Sequence, residues 1–398
     1  NELATMESDA TFGAVAASFN SNTVASLTYS TVTTNTAVLA EGVGQSFALT
    51  TKSDGSAITG STKDDVYTAI VDLGTTNSTL TSSDNIAAGA GADSLTITAT
   101  GTGAESVTGV TTSGLEAISI TSLSTGAGTL TIDAALMDGV TSIAANNSTA
   151  DGEIAFTNLG ALAAASLSAN AGDLTLTYGT TVVAGTTDTQ ALTVSGTNAG
   201  TFTADGIETI AITTATSAAT ATVASNAVTN ITVSGDQNLT LAATTFAVVT
   251  DTATVASTID ASALTGKLTA TISDTSTVEV KGGTGDDTIN MAALLETNDI
   301  IDGGAGTDTL TMTKAALTTQ FTNVSNVETV AFSASSGTTA MDVSKLSAGV
   351  TTVQVDVSDS DDTDTTTEVT TISNHVDQTV NIKNTVDNGA GGTSNTDV

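Results

Sequence analysis

The chain has 398 residues and a formal net charge of −35, from 42 acidic against 7 basic side chains, with neither Cys nor Pro. That balance excludes nucleic acid as a partner, because binding a polyphosphate needs clustered Lys and Arg to release counter-ions, and it excludes docking on an anionic membrane through a basic patch. Without Cys there are no disulfides and no thiolate metal sites, and no run of about 18 apolar residues marks a transmembrane segment. The counter-ions such a chain wants are cations. Its 39% apolar content, arranged in alternation and rich in β-branched residues, predicts strands and argues against disorder.

Residues 1–57 read as an N-terminal β-rich segment with a short helix over 3–19 and strand text over 24–38 (VASLTYSTVTTNTAV). Residues 58–98 read as degenerate nine-residue turns. Ala88 to Thr96 (AGAGADSLT) keeps most of the pattern G-G-x-G-x-D-x-U-x, in which U is a large apolar residue, with Gly89, Gly91 and Asp93 in place. Asp84 and Ile86 lie one nonapeptide earlier, and Asp65 with Tyr67 preserves the D-x-U part of another unit, so Asp65, Asp84, Asp93 and the turn glycines Gly89 and Gly91 are candidate metal ligands of a decayed segment.

Residues 99–280 form a β-repeat region, with alternations at LTLTY (174–178), ALTV (191–194), 231–233, 239–241 and 268–272. Whether this is a continuous solenoid or separate sandwich units stays open. Three segments share the form [GN]-U-E-x-U-x-U, built on Glu116, Glu208 and Glu328, with spacings of 92 and 120 residues. They read as three copies of a β unit of about a hundred residues that stack on a shared core.

The best-preserved motif spans 281–312. GGTGDDTIN (282–290) and GGAGTDTLT (303–311), 21 residues apart, both fit the nonapeptide, and Asn298-Asp299-Ile300-Ile301 keeps its D-x-U part. The glycines permit tight turns that present carbonyl oxygens, and Ca²⁺ takes six to eight such hard oxygen ligands. The expected calcium ligands are Asp287, Asp308 and the carbonyls of Gly283, Gly285, Gly304 and Gly306, with the two loops stacked on one edge. A bulge near Met291–Ala293 absorbs the extra residues, and Asp299 falls on the opposite edge. Asp286 and Asp302 are expected to tune the field only. Residues 313–398 form a C-terminal β unit and an acidic, Gly-rich tail. In that tail DVSDSDDTD (356–364) reads either as a solvated loop, the favoured reading, or as a further calcium loop.

Nothing in the residues suggests catalysis. His375 is the only His, and no G-x-S-x-G elbow accompanies it. Zinc chemistry needs two or three His or Cys. A glycosidase would want aromatic platforms, whereas there is no Trp and only three Tyr. The expectation is a protein that is not an enzyme.

With these blocks assembled, the chain resembles the calcium-dependent surface-layer (S-layer) proteins of Gram-negative bacteria that carry RTX repeats. The resemblance rests on ITGSTKDDVY (58–67), DNIAAGAGADSLTI (84–97), the three Glu strands, STIDASALTGKLTATI (257–272), VEVKGGTGDDTINM (278–291) and NDIIDGGAGTDTLTM (298–312). It implies type I secretion, folding on external calcium and a two-dimensional lattice on the outer cell surface, with calcium also bridging subunits. No counterpart appears of that family's helical lipopolysaccharide anchor, its C-terminal secretion signal or its long terminal repeat array, so the chain reads as a fragment or as a matrix or filament relative. The expected fold is all-β, with parallel β-solenoid or β-roll segments bearing calcium-binding turns, joined to β-sandwich or β-helix-like repeat units. The expected function is a self-assembling S-layer protein; the alternative is an RTX-type secreted adhesin or an extracellular matrix or filament protein. Partners are the chain itself and, through regions outside it, lipopolysaccharide or surface glycan.

Overall fold

A computed structural model describes residues 44–52, 54, 58–246, 257–273, 277–291, 295–312, 320–333, 339–356, 370–374 and 377–383. All of them lie in one unit, Gly44–Val398. The helix expected over 3–19, the strand over 24–38, His375, residues 357–364 and the last residues from 384 lie outside the described residues, as do 292–294 in the expected bulge.

The fold is all-β, and its strands pair in parallel, coil upon coil, as a solenoid. One thirteen-stranded sheet runs from Ser46–Ala48 through Val66–Leu73, Ser94–Gly101 and Ala117–Ser122 to Val324–Ser325; the other runs from Glu105–Val107 to Thr379–Lys383. From Ala117–Ser122 to Thr329–Ser333 the chain alternates between them, one strand on each side of every coil, and in the last coils Thr339–Asp342 and Thr370–Ser373 form a separate pair opposite the second sheet. A third sheet of Ile58–Thr59, Asn85–Ala87 and Thr111–Ser113 adds a short strand to the first coils. The repeating unit is thus a single coil, from 19 residues (Thr269 to Thr288) to 31 (Thr339 to Thr370), and not the hundred-residue unit that the Glu spacing suggested. Both long sheets run on through residues 99–280, so that region is solenoid throughout what is described.

Alternation explains why these residues stack. Along Ala117–Ser122 and Leu174–Tyr178 every second side chain is buried, as a strand of period two requires when one face is covered. Parallel pairing in register then places like on like. On the inside, Leu241, Ala270, Ile289, Leu310, Val330 and Val353 form one continuous column. Each such Leu, Ile or Val contributes about 1.5–3 kcal/mol by leaving water. The core is thin: Tyr67, Phe156, Phe202 and Phe332 are its largest fully buried side chains. Coils of unequal length keep this register because the surplus is taken up in loops and in bulges, as between Thr232 and Ser234 or Leu241 and Thr244. Outside, the second sheet carries a straight column of eight threonines, Thr220, Thr240, Thr269, Thr288, Thr309, Thr329, Thr352 and Thr379, paired register to register.

Candidate metal centre

Each expected acidic ligand sits at a corner, one residue before a strand. Asp65 and Asp93 precede strands of the first sheet, as does Asp299; Asp287 and Asp308 precede Thr288–Met291 and Thr309–Met312 of the second; Asp84 precedes Asn85–Ala87 of the third. Asp299 is therefore on a different side of the coil from Asp287 and Asp308. In D-x-U the Asp and the apolar residue share parity, so the carboxylate points inward with the core. All six are buried, none more than 1% exposed.

Burial of a carboxylate is costly unless it is hydrogen-bonded, and here each bonds to the neighbouring coil. Asp308 Oδ1 accepts the Asp287 N–H at 2.7 Å, Asp287 Oδ1 the Leu268 N–H at 2.7 Å and Asp93 Oδ1 the Asp65 N–H at 2.6 Å. Asp299 and Asp84 accept from Val278 and Asp54 at 3.0 Å. The second oxygen can clasp the Asp's own turn: Asp287 Oδ2 takes the Gly283 N–H at 2.7 Å, and Asp84 and Asp299 take those of Thr81 and Glu296 at 2.7 Å. The glycine five residues upstream makes room for that carboxylate. A Cβ on Gly282 or Gly60 would lie 2.5 Å from Oδ2 of Asp287 or Asp65.

Two carboxylates depart from this pattern. Asp93 and Asp308 are buried, yet their Oδ2 atoms have no hydrogen-bond partner. The backbone gives the reason. Gly89 and Gly91 (φ 103° and 147°) and Gly304 and Gly306 (φ 95° and 134°) adopt positive φ, whereas Gly283 and Gly285, in the turn that does clasp its carboxylate, do not. Only glycine visits that region at little cost.

These two turns occupy equivalent places in two matching corners. In one, the 88–91 loop lies over 60–63, with the Ala90 N–H on the Ser61 carbonyl and the Ala92 N–H on Asp64 Oδ1; in the other, the 303–306 loop lies over 282–285, with Ala305 on Gly283 and Thr307 on Asp286 Oδ1. Asp286 is thus a ladder acceptor and not a spectator. So is Asp302, whose Oδ1 accepts from Asn326 Nδ2 at 2.7 Å. One coil further on, a glutamate takes over: Glu116 Oε2 accepts the Asp93 N–H at 2.8 Å and Glu328 Oε2 the Asp308 N–H at 2.7 Å. The same Asp-over-Glu step recurs with Asp188 and Glu208 at 2.9 Å, and the Oδ2 of Asp188, a part-exposed residue, is likewise without a partner. The Glu motif, legible as a repeat, is therefore the third rung of the corner, a role its sequence spacing did not reveal.

Crowding of buried acids raises their affinity for protons. Burial, with the nearby charges of Asp287, Glu328 and Asp286, lifts the Asp308 carboxyl to about 6 despite the Asp287 N–H. Burial likewise raises Asp93 and Asp287. No protein-family model, no curated protein and no solved structure matches the chain. Family membership therefore adds no ligand set, and the corner has to be judged on its own chemistry.

The donors suit a hard cation of oxygen preference: an unpaired, inward carboxylate oxygen beside glycine-rich turns. Among the described residues no three acidic or His side chains converge closely enough to ligate a metal by themselves. A cation at these corners would need backbone carbonyls as well, which glycine turns supply. Asp93 and Asp308 are the residues best placed to hold one. Asp65, Asp84, Asp287 and Asp299 each already have both carboxylate oxygens in hydrogen bonds.

Proposed function

We propose that the protein is a structural, self-assembling component of a calcium-stabilised layer on the outer cell surface, reached by secretion and attached to lipopolysaccharide or surface glycan through regions outside this chain. The observation that carries this reading is the paired corner: two buried Asp-over-Glu steps, each with one carboxylate oxygen left without a donor. Asp188, part-exposed, has a third such oxygen in its step over Glu208, but only at Asp93 and Asp308 is the whole residue buried beside a glycine turn of positive φ, and those two points invite a counter-ion. Calcium, when bound, supplies positive charge and a cross-link. Asp93 Oδ2 with carbonyls of Gly89 and Gly91, and Asp308 Oδ2 with carbonyls of Gly304 and Gly306, would hold it.

The residues do the rest. Asp64 and Asp286 hold the stacked loops in register, and Glu116 and Glu328 fix the Asp N–H groups from the coil below. In a linear array each coil contacts mainly its neighbours, so a local clamp resists unzipping from that point. The test is calcium titration calorimetry on the wild type and on Asp93→Asn/Asp308→Asn, with electron microscopy of both in calcium and in chelator. The wild type is expected to bind calcium and form ordered sheets only with it, and the variant to lose binding. Unchanged stoichiometry in the variant would refute the assignment.

A further inference from the structure

We infer that the outer face of the second sheet, along its threonine column from Thr220 to Thr379, is the surface through which two copies of the chain pack face to face. This rests on the assembly reading above and names the face that serves it. The column beside the threonines, two residues along each strand, includes Thr271, Asn290, Thr311, Ala331, Gln354 and Asn381. Neither column holds a charged residue over eight successive strands, and every described position in both is part-exposed or exposed. The first sheet is also uncharged on the outside over its earlier strands, along Thr68, Thr96, Ser119, Ala144, Ser166 and Thr193, but there the residues are mixed and no single side chain repeats. In a chain of net charge −35 the second sheet alone keeps one small side chain through eight strands. The same coils on the first sheet present Asp260, Lys281 and Asp302 in one row, with Glu279 beside them.

Charge decides which faces can meet. Copies of so acidic a protein repel wherever carboxylates face each other, so a neutral face is where close approach costs least. Geometry supports the same choice. Identical small side chains repeat at the strand spacing of about 4.8 Å, so eight strands span about 34 Å, and strands about 15 Å long give about 500 Å² per copy. Two such faces bury about 1,000 Å², the lower bound for a specific interface. A two-fold axis between Thr288 and Thr309 makes the contact self-complementary, bringing Thr240 of one copy near Thr352 of the other.

The experiment is sedimentation velocity of the full chain in calcium across a concentration series, with Thr240→Glu/Thr352→Glu on this face and Thr96→Glu on the first sheet as control. The wild type and Thr96→Glu are expected to dimerise alike, and the double variant at least tenfold more weakly, with calcium binding unchanged. Gln354→Glu/Asn381→Glu, at exposed positions, repeats the test if the first variant fails to fold. A double variant that associates as tightly as the wild type overturns the inference. If that variant also forms ordered sheets in calcium, only this face falls and the assembly reading stands; a wild type that never associates sinks both. A monomeric wild type whose double variant alone loses binding to purified surface polysaccharide assigns the face to a glycan instead, which also overturns it.

Discussion

Asp308→Asn should change sign with calcium. Asparagine keeps an Oδ1 to accept the Asp287 N–H, held at 2.7 Å in the wild type, but removes the charge that burial and three neighbouring acids oppose. The Asp308 carboxyl is raised from 3.8 to about 6, so between those values the folded chain binds more protons than the unfolded one. Folding is therefore favoured below about pH 4 and loses stability as pH rises through about 6, the reverse of a salt-bridged Asp. The full shift corresponds to about 3 kcal/mol. Discounted for solvent screening it is about 1–2 kcal/mol of destabilisation at pH 8 without metal. In chelator at pH 8, Asp308→Asn should therefore melt about 1–4 °C above the wild type. In calcium the order should invert, because the wild type gains about 2.7 kcal/mol at a hundredfold excess over the dissociation constant while the variant gains less. Calorimetric scans in chelator and in calcium at pH 5 and pH 8 check this. A variant that melts below the wild type by the same amount in all four conditions would show that Asp308 is only a hydrogen-bond acceptor.

Further outcomes test the scaffold. Gly303→Ala should cost at least about 2 kcal/mol, since its Cβ would overlap the Asn326 carbonyl oxygen and lie 2.7 Å from Asp308 Oδ2, whereas Gly160→Ala, with nothing within 4 Å, should be neutral or slightly stabilising in a thermal melt. Asn170→Ala removes the acceptor of the Ser148 N–H (3.2 Å) and the donor to the Gly172 carbonyl. It should cost about 1–3 kcal/mol, read by denaturant titration, with amide exchange rising first around residues 148 and 170. Leu310→Ala empties a fully buried position in the inner column and should cost about 2–5 kcal/mol on the same titration, with no effect on calcium stoichiometry.

Strand content was legible because period-two alternation is a local property. LTLTY and LTATI became strands at Leu174–Tyr178 and Leu268–Ile272. The motif also told correctly that the loops at 282–287 and 303–308 stack at 21-residue spacing, which pairs Thr288 with Thr309. The length of a coil was not legible where the motif decays. Loops of unequal length separate strands that nonetheless pair, and Asp93 meets Glu116 and Asp188 meets Glu208 across 23 and 20 residues with no shared spacing to announce them. The buried ladder of Ser148, Asn170 and Asn198, each accepting an N–H from the coil before, was invisible for the same reason.

The sequence by itself determined an acidic, all-β chain with glycine-aspartate turns, because composition, alternation and turn chemistry act over a few residues. Only the tertiary structure decided which of those aspartates differ. Asp287 and Asp308 stand in near-identical nonapeptides, yet one has both carboxylate oxygens in hydrogen bonds and the other keeps a buried oxygen without a donor. The difference lies in the φ of Gly304 and Gly306 and in what the adjacent coils offer, and contacts between coils are not written in either motif.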